Sequence, residues 1–255
     1  MELGLTGRVV VITGAARGIG AQMVSTFAME GAIVVSLDIA GGQADASLAM
    51  QCDVTDPSDV ASKVKATLQQ CGRIDVLVNN AGVVAHSPVE SMHIDAWKRV
   101  FDVNVHGVFN TCQAVIPAMK SQRWGRILNA ASFAAIIPTV GGAAYAASKA
   151  AVVQFSRVLA GELGPWGITV NSYAPGMVPT TMNGFADLDE PAAARKLDQL
   201  TIRRWGTAEE VAEAVCFLAS NRASYVTGSL FEISGGKLAT QAPTDAYINL
   251  AKPGS

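Results

Sequence analysis

Short apolar runs alternate along the chain with longer segments in which apolar residues recur at helical spacing. The first run, RVVVIT at 8–13, precedes a helical stretch that continues to Glu30. Six further runs follow, at 32–38, 49–54, 74–82, 125–132, 167–176 and 228–236. Continuous apolar runs are typical of strands that are buried on both faces and connected by helices. The pattern therefore predicts an α/β fold, a Rossmann-type doubly wound parallel sheet of about seven strands with helices on both faces.

Capping signals mark the ends of two of the predicted helices. In TDPSDVASKVKATLQQCG, Asp56 suits an N-cap, Pro57 suits the first helical position, and Gly72 ends the helix. The last predicted helix, TAEEVAEAVCFLAS, opens with Thr207 and Glu210 at the spacing of a capping box. We expect both helices to begin where these caps stand.

Composition and charge exclude several classes of function. The chain has 255 residues, which suits one large α/β domain or two small ones. Half of the residues are hydrophobic, which supports a large buried core. A net charge of −2 leaves no basic footprint for nucleic acid or an acidic membrane. The longest uncharged run, 127–148, is too polar and too broken to span a bilayer. Four scattered cysteines and the absence of a secretory signal predict reduced thiols in a cytoplasmic protein.

Candidate chemistry begins in the turn after the first strand, where the chain reads TGAARGIG at 13–20. Gly14, Gly18 and Gly20 permit a tight turn, and the helix that follows offers free N–H groups to a phosphate. Asp38 ends the second strand, where a carboxylate can accept hydrogen bonds from ribose hydroxyls. This arrangement predicts a site for the pyrophosphate and adenosine of a dinucleotide.

A second candidate feature is the helical run YAASKAAVVQF at 145–155. Tyr145 and Lys149 are four positions apart, so they project from one side of the helix. An unperturbed tyrosine has a pKa of about 10, and a nearby ammonium lowers this pKa because it favours the tyrosinate. Ser132 lies just past the fifth strand, at the carboxyl edge where sites form in such sheets. Alternatively, the lysine stem only covers apolar surface.

Six motifs occur in a characteristic order. They are TGAARGIG at 13–20, CDVTD at 52–56, NNAG at 79–82, NVHGVF at 104–109, Ser132 followed by the Y-x-x-x-K of Tyr145 and Lys149, and PGMVPT at 175–180. With this set, the chain resembles the short-chain dehydrogenase/reductase family over roughly residues 5–236. The resemblance implies a catalytic set of Asn104, Ser132, Tyr145 and Lys149.

The resemblance also implies a role for each member of this set. Tyr145 would be the general acid/base, and Lys149 would lower its pKa and bind the nicotinamide ribose. Ser132 would hold the substrate oxygen beside Tyr145. Asn104 would keep its helix locally open and support a water that links Lys149 to solvent.

The same resemblance implies which residues contact the cofactor. They are Gly14, Arg17, Gly18, Ile19, Gly20, Asp38, Asp53, Val54, Asn80, Ala81, Gly82, Tyr145, Lys149, Pro175, Gly176, Val178 and Thr180. Asn79 would line the same cleft or cap its strand, and Thr180 would bind the carboxamide or cap a turn. The Asp38 carboxylate would repel the 2′-phosphate of NADP, which Arg17 would attract. Because the repulsion from Asp38 acts at close range, we expect it to outweigh the attraction by Arg17. The expected cofactor is therefore NAD, with NADP less favoured.

The predicted reaction is NAD-dependent hydride transfer between the nicotinamide and a small-molecule secondary alcohol or ketone. An alternative is a reductase of 3-oxoacyl thioesters, on acyl carrier protein or coenzyme A, that uses NADPH. Two less favoured alternatives are an inactive nicotinamide-nucleotide sensor or scaffold and a Rossmann methyltransferase. The histidines His86, His93 and His106 have no regular spacing, so no metal site is expected.

The domain prediction is a single dinucleotide-binding and catalytic unit over 1–255. A substrate lid is expected at about 177–205, followed by an irregular tail at 237–255. Candidate apolar contacts to substrate are Met177, Val178, Met182, Phe185, Phe133, Ile136 and Ile137. His86 faces either the substrate or solvent. If several apolar residues face the site, a moderately apolar alcohol or ketone is favoured; polyols, sugars, hydroxysteroids and 3-oxoacyl thioesters stay open.

Two predicted helices, at 107–119 and 146–163, are apolar around more than one narrow stripe. One face of each must cover the sheet, and the other needs a partner. The resemblance implies a four-helix contact between subunits and a second contact through the last strand. We therefore expect a homotetramer, with a dimer as the alternative.

Overall fold

A parallel sheet forms the centre of the molecule. The computed structural model describes residues 2–41, 45–237 and 239–250. Across those residues, seven strands pair in the order β3-β2-β1-β4-β5-β6-β7, all parallel. They are β1 (Val9–Thr13), β2 (Ile33–Asp38), β3 (Leu48–Gln51), β4 (Val76–Asn79), β5 (Gly125–Ala130), β6 (Ile168–Pro175) and β7 (Leu230–Ile233). The predicted doubly wound sheet is confirmed.

Helices cover both faces of the sheet. They are α1 (Gly18–Met29), α2 (Pro57–Cys71), α3 (Ile94–Phe101), α4 (Gly107–Gln122), α5 (Ala143–Leu163), α6 (Glu190–Leu197), α7 (Ala208–Ala219) and α8 (Thr244–Leu250). On one face, α1 and α7 bury Phe27 and Val215 against the strands. On the other face, α2, α4 and α5 contribute Val60, Val115 and Leu159 to a second core.

The predicted helix caps are present. The Asp56 carboxylate accepts hydrogen bonds from the backbone N–H groups of Ser58 and Asp59, and Gly72 ends α2 with φ 75°. Thr207 and Glu210 form the reciprocal capping box at the start of α7. Both caps are local features, which is why the sequence predicts them well.

Several strands are shorter than their apolar runs. The third extends over Leu48–Gln51 rather than 49–54, and the fourth over Val76–Asn79 rather than 74–82. Residues 52–54 and 80–82, which follow these two strands, form loops at the carboxyl edge of the sheet. Thr13 is level with Asn79, and Asn79 with Asn129, so the loops after β1, β4 and β5 begin side by side.

The C-terminal tail contains a helix, which corrects the prediction of an irregular tail over 244–250. The Tyr247 hydroxyl donates to the Thr201 carbonyl at 2.8 Å and accepts from the Arg203 N–H at 3.2 Å. These contacts are distant in sequence, so no local pattern indicates them. Residue 238 and residues 251–255 of the predicted tail lie outside the described residues.

The described helices and the four cysteines bear on two further predictions from the sequence. Among the described residues, no helix combines the length and apolar character needed to cross a membrane. Cys52, Cys71, Cys112 and Cys216 are all free thiols, and three of them are buried. The predicted reduced cysteines are confirmed.

Candidate active site

The glycine turn lies between β1 and α1 at the carboxyl edge. Gly14 and Gly18 have φ values of 63° and 57°, a conformation that favours glycine. A Cβ on Gly20 would lie 2.1 Å from the Gly14 carbonyl oxygen, so only glycine lets loop and helix approach this closely. In the described chain, α1 starts with neither a side-chain cap nor an acidic residue in its first turn. Its first N–H groups therefore fit an anionic pyrophosphate.

Asp38 is held against this turn. One carboxylate oxygen accepts from the Ala16 N–H at 2.9 Å, and the other accepts from the Ala40 N–H at 2.9 Å. The half-buried carboxylate is therefore fixed at the end of β2, while the neighbouring Arg17 is exposed. This geometry fits the ribose hydroxyls of an adenosine.

The loops after β1 and β4 are locked together. The Asn80 amide donates to the Gly14 carbonyl at 2.9 Å, and the Ala81 N–H donates to the Thr13 hydroxyl at 3.1 Å. A Cβ on Gly14 would lie 2.6 Å from the Ala81 Cα. These contacts form a rigid wall beside the predicted cofactor path.

The segment after β3 forms the far end of that path. The Asp53 carboxylate accepts from the Thr55 N–H and hydroxyl at 2.9 and 2.8 Å, which stabilises its own turn. Val54 packs against Gly107, where an added Cβ would lie 2.7 Å from the valine Cγ2. Contacts with Thr55 and Gly107 therefore hold Asp53 and Val54 in place.

Asn79 does not line the cleft, which corrects that expectation. Its side chain is buried and donates to the Asn129 amide oxygen at 2.8 Å. It also accepts from the Thr111 hydroxyl. The residue joins β4, β5 and α4 in a polar network beneath the site, and periodicity does not show which strand-end residue turns inward.

A cavity of about 310 Å³ opens at the carboxyl edge of β4, β5 and β6. It brings together the predicted catalytic residues Ser132, Tyr145 and Lys149. Of the predicted cofactor residues, it is also lined by Ile19, Asn80, Gly82, Pro175, Gly176, Val178 and Thr180. This is the cavity in which the sequence predicts the nicotinamide end of the cofactor and the substrate.

Ser132 and Tyr145 form a hydrogen-bonded pair within this cavity. Burial raises the pKa of the Tyr145 phenol, and its hydrogen bond with Ser132 acts in the opposite direction with a smaller effect. In the protein alone burial has the largest effect on this pKa, and the expected lowering of the Tyr145 pKa by Lys149 stays a prediction. The phenol is protonated at neutral pH and is able to donate a proton.

Lys149 is buried, with only 3% of its surface exposed. Its ammonium donates to the Ala130 carbonyl at 2.7 Å and lies 5.7 Å from the centre of the Tyr145 ring. Burial lowers the pKa of Lys149 to about 8. An ammonium beside the phenol therefore titrates close to physiological pH.

Asn104 occupies a π-helical turn, Asp102–His106, between α3 and α4. Its amide oxygen accepts from the Val83 N–H at 2.8 Å, and its amide nitrogen donates to the Val83 carbonyl and the Ser148 hydroxyl. The opened helix is as expected, because a π turn frees backbone groups from the regular ladder. The water relay toward Lys149 stays a prediction.

Several further residues line the cavity. Met177, Val178, Met182, Phe185 and Phe133 do so as expected, and His86 is also part of the lining. Ile136 and Ile137 are instead 46% and 55% exposed. The sequence interpretation missed Tyr173, Lys196, Gln199 and Lys237. Lys237 follows β7 at the carboxyl edge, a signal that could have identified it, whereas Lys196 has no such signal.

The family model and two curated relatives that match this chain are all named as reductases of an acyl-(acyl carrier protein). A family model described as enoyl-(acyl carrier protein) reductase matches residues 14–237. The chain is 41% identical over 244 residues to the 3-oxoacyl-[acyl-carrier-protein] reductase FabG of Thermotoga maritima, covering 91% of this chain and 98% of that protein. It is 36% identical to the Escherichia coli protein of the same name, covering 90% and 97% of the two chains.

Solved structures share the fold closely. The crystal structure of levodione reductase superposes with a TM-score of 0.87 at 33% identity, covering 93% of this chain and 100% of that chain. A protein designated gox2181 gives a TM-score of 0.88 at 33% identity, covering 94% and 98% of the two chains. The match extends over nearly the whole chain in both cases.

Proposed function

The chain belongs to the short-chain dehydrogenase/reductase family, and from this premise we propose that it reduces the ketone of a 3-oxoacyl thioester with a nicotinamide cofactor. The observation that carries the proposal is the meeting of Ser132, Tyr145 and Lys149 in one cavity beside the glycine turn. Curated relatives named 3-oxoacyl-[acyl-carrier-protein] reductase support the thioester as substrate.

The proposed chemistry divides the work between the cofactor and the chain. A reduced nicotinamide supplies the hydride when it is bound. Ser132 donates a hydrogen bond to the ketone oxygen, and Tyr145 transfers its proton to that oxygen as negative charge develops. The raised pKa of the phenol keeps this proton in place at neutral pH. The positive charge of Lys149 stabilises the tyrosinate that remains.

A free ketone is a second candidate substrate. One structural relative is named levodione reductase, and the cavity wall includes Met177, Met182 and Phe185. Such a lining suits an apolar ketone without a carrier.

A substrate panel distinguishes these candidates. We expect cofactor oxidation with a 3-oxobutanoyl thioester and a higher kcat/KM for it than for a cyclic diketone. A 2-enoyl thioester serves as the control, because it presents no ketone to Ser132. Preference for the diketone would favour the free-ketone function, and turnover of the enoyl thioester alone would contradict both.

For the cofactor, we propose NAD(H) rather than NADP(H). Two backbone N–H groups hold the Asp38 carboxylate in position, so it cannot easily turn away from an incoming 2′-phosphate. Two anionic groups in contact disfavour binding. Arg17 is exposed and lies beside the turn, so its attraction for the phosphate is screened more by water.

Asp38→Ala should shift cofactor preference toward NADP(H) by at least ~10-fold, or about 1.4 kcal/mol. The measurement is kcat/KM with both cofactors in the wild type and the variant. Asp38→Asn is the matched control, since it removes the charge while keeping a hydrogen-bonding group. A wild type that prefers NADP(H) would refute the proposal, and an unchanged ratio would show that Asp38 does not discriminate.

We also propose that the chain assembles as a homotetramer through α4 and α5. Phe109 and Val158 on these helices are 46% and 63% exposed, and Phe109 packs edge-on against Phe155. Apolar groups of this size on adjacent helices favour a subunit contact.

Light scattering should give a tetramer at micromolar concentration, and Val158→Glu should yield smaller species. Val89→Glu is the matched control, because Val89 is 74% exposed on a separate turn outside both helices. A monomeric wild type would contradict the proposal, and a dimer would support the alternative assembly.

A further inference from the structure

Two lysines in the wall of the active cavity have no part in the proposed hydride and proton transfer. Lys196 comes from α6, in the segment predicted to be the lid, and Lys237 follows β7. Both are half-buried. Lysine loses solvation when it is buried, so two of them in one cavity need an explanation.

Lys237 lies on the substrate side of the cavity. Its ammonium is 5.0 Å from the centre of the Phe133 ring, and Phe133 directly follows Ser132. The same ammonium donates to the Gln199 side-chain oxygen at 2.6 Å. Phe133 and Gln199 both line the cavity, so the Lys237 ammonium lies at the part of the wall that follows Ser132 in the chain.

The cavity is positively charged on this side. Burial lowers the pKa of Lys237, and the like charge of Lys196 lowers it further. Of the described residues, those lining the cavity include the three lysines Lys149, Lys196 and Lys237 and no aspartate or glutamate. Neither Lys196 nor Lys237 forms an ion pair with a carboxylate in the described part of the chain. An anion that enters the cavity would relieve this repulsion.

We propose that Lys196 and Lys237 bind an anionic group of the substrate, a carboxylate or a phosphate. This inference rests on the proposed ketone reduction, and it adds that the ketone substrate carries an anionic group elsewhere in its structure. Gln199 contributes by holding the Lys237 ammonium in place. The two lysines therefore determine substrate specificity and take no part in the proton transfer.

The test compares three ketones that differ in charge. Ethyl 3-oxobutanoate is uncharged, 3-oxobutanoate carries its own carboxylate, and 3-oxobutanoyl coenzyme A carries phosphates at the far end of its arm. The measured quantity is the ratio of kcat/KM for a charged ketone to kcat/KM for the uncharged ester. This ratio should be at least ~10-fold lower in the double variant Lys196→Gln/Lys237→Gln than in the wild type, mainly because KM for the charged ketone rises. The substrate that shows this loss identifies the anion as carboxylate or phosphate.

Two controls separate charge from structure. Lys196→Arg/Lys237→Arg keeps both charges and should retain at least part of the preference, while Lys65→Gln removes an exposed lysine of α2. Added salt should weaken the wild-type preference and have little effect on the double glutamine variant.

The outcomes are distinguishable from failure of the proposed function. Turnover of the ester together with an unchanged charged-to-uncharged ratio in the double glutamine variant would overturn the anion site alone. A wild type that binds the cofactor and reduces none of the three ketones would overturn ketone reduction, and the anion site with it.

Discussion

Replacing Tyr145 by phenylalanine is expected to lower kcat by at least ~10²-fold, the low end for loss of a general acid or base. The change removes only the hydroxyl that pairs with Ser132 and keeps the ring that packs in the cavity wall. Steady-state turnover of the preferred ketone measures the effect. Cofactor binding and the melting temperature should stay near those of the wild type.

Tyr173→Phe is the matched control for this variant. Tyr173 also lines the cavity, and its hydroxyl donates to the Asn80 amide oxygen at 3.3 Å. Its loss should cost about 1 kcal/mol of stability and less than ~10-fold in kcat, because it removes a neutral hydrogen bond. Near-normal turnover by a folded Tyr145→Phe protein would contradict the assignment of the acid.

Lys149→Met should also lower kcat by at least ~10²-fold, since it removes a preorganised charge next to the phenol. The apoprotein should lose no stability at neutral pH. Burial of the ammonium lowers its pKa from 10.5 to about 8, so the folded state carries a desolvated charge below that pH. Methionine fills similar space without that charge.

The pH dependence of stability follows from the same shift. Between pH 8 and 10.5, the unfolded lysine keeps its proton while the folded one has lost it. Stability of the wild-type apoprotein should therefore rise with pH across this window, by at most about 3 kcal/mol from this group. The rise should be smaller in Lys149→Met.

Chemical denaturation at several pH values measures this difference, with Lys65→Met as an exposed-lysine control. An active Lys149→Met enzyme would show that the ammonium is not needed for turnover. If stability depended on pH identically in the wild type and in Lys149→Met, the lowered pKa of Lys149 would be contradicted.

The features that the sequence predicts well depend on residues close together along the chain. β-Branched runs form the strands, Asp56 and Thr207 cap their helices, and the glycine turn stands between β1 and α1. The four-residue spacing of Tyr145 and Lys149 on α5 places both beside Ser132 in one cavity.

The features that the sequence does not predict depend on distant contacts or on solvation. Tyr247 packs against the segment near Thr201, and Asn79 turns into the core toward Asn129. The pKa of Tyr145 depends on how deeply the phenol is buried, which spacing does not reveal. Lys196 and Lys237 meet only because α6 and the end of β7 fold over the same cavity.

Direct transfer of the cofactor hydride to a ketone is the central claim. Incubating the protein with NADH labelled with deuterium at the transferring position and a 3-oxobutanoyl thioester, followed by mass spectrometry, tests it most directly. We predict a 3-hydroxybutanoyl product that carries deuterium at the former ketone carbon. Cofactor binding without any such product, from the thioester or from the free ketones, would contradict the account.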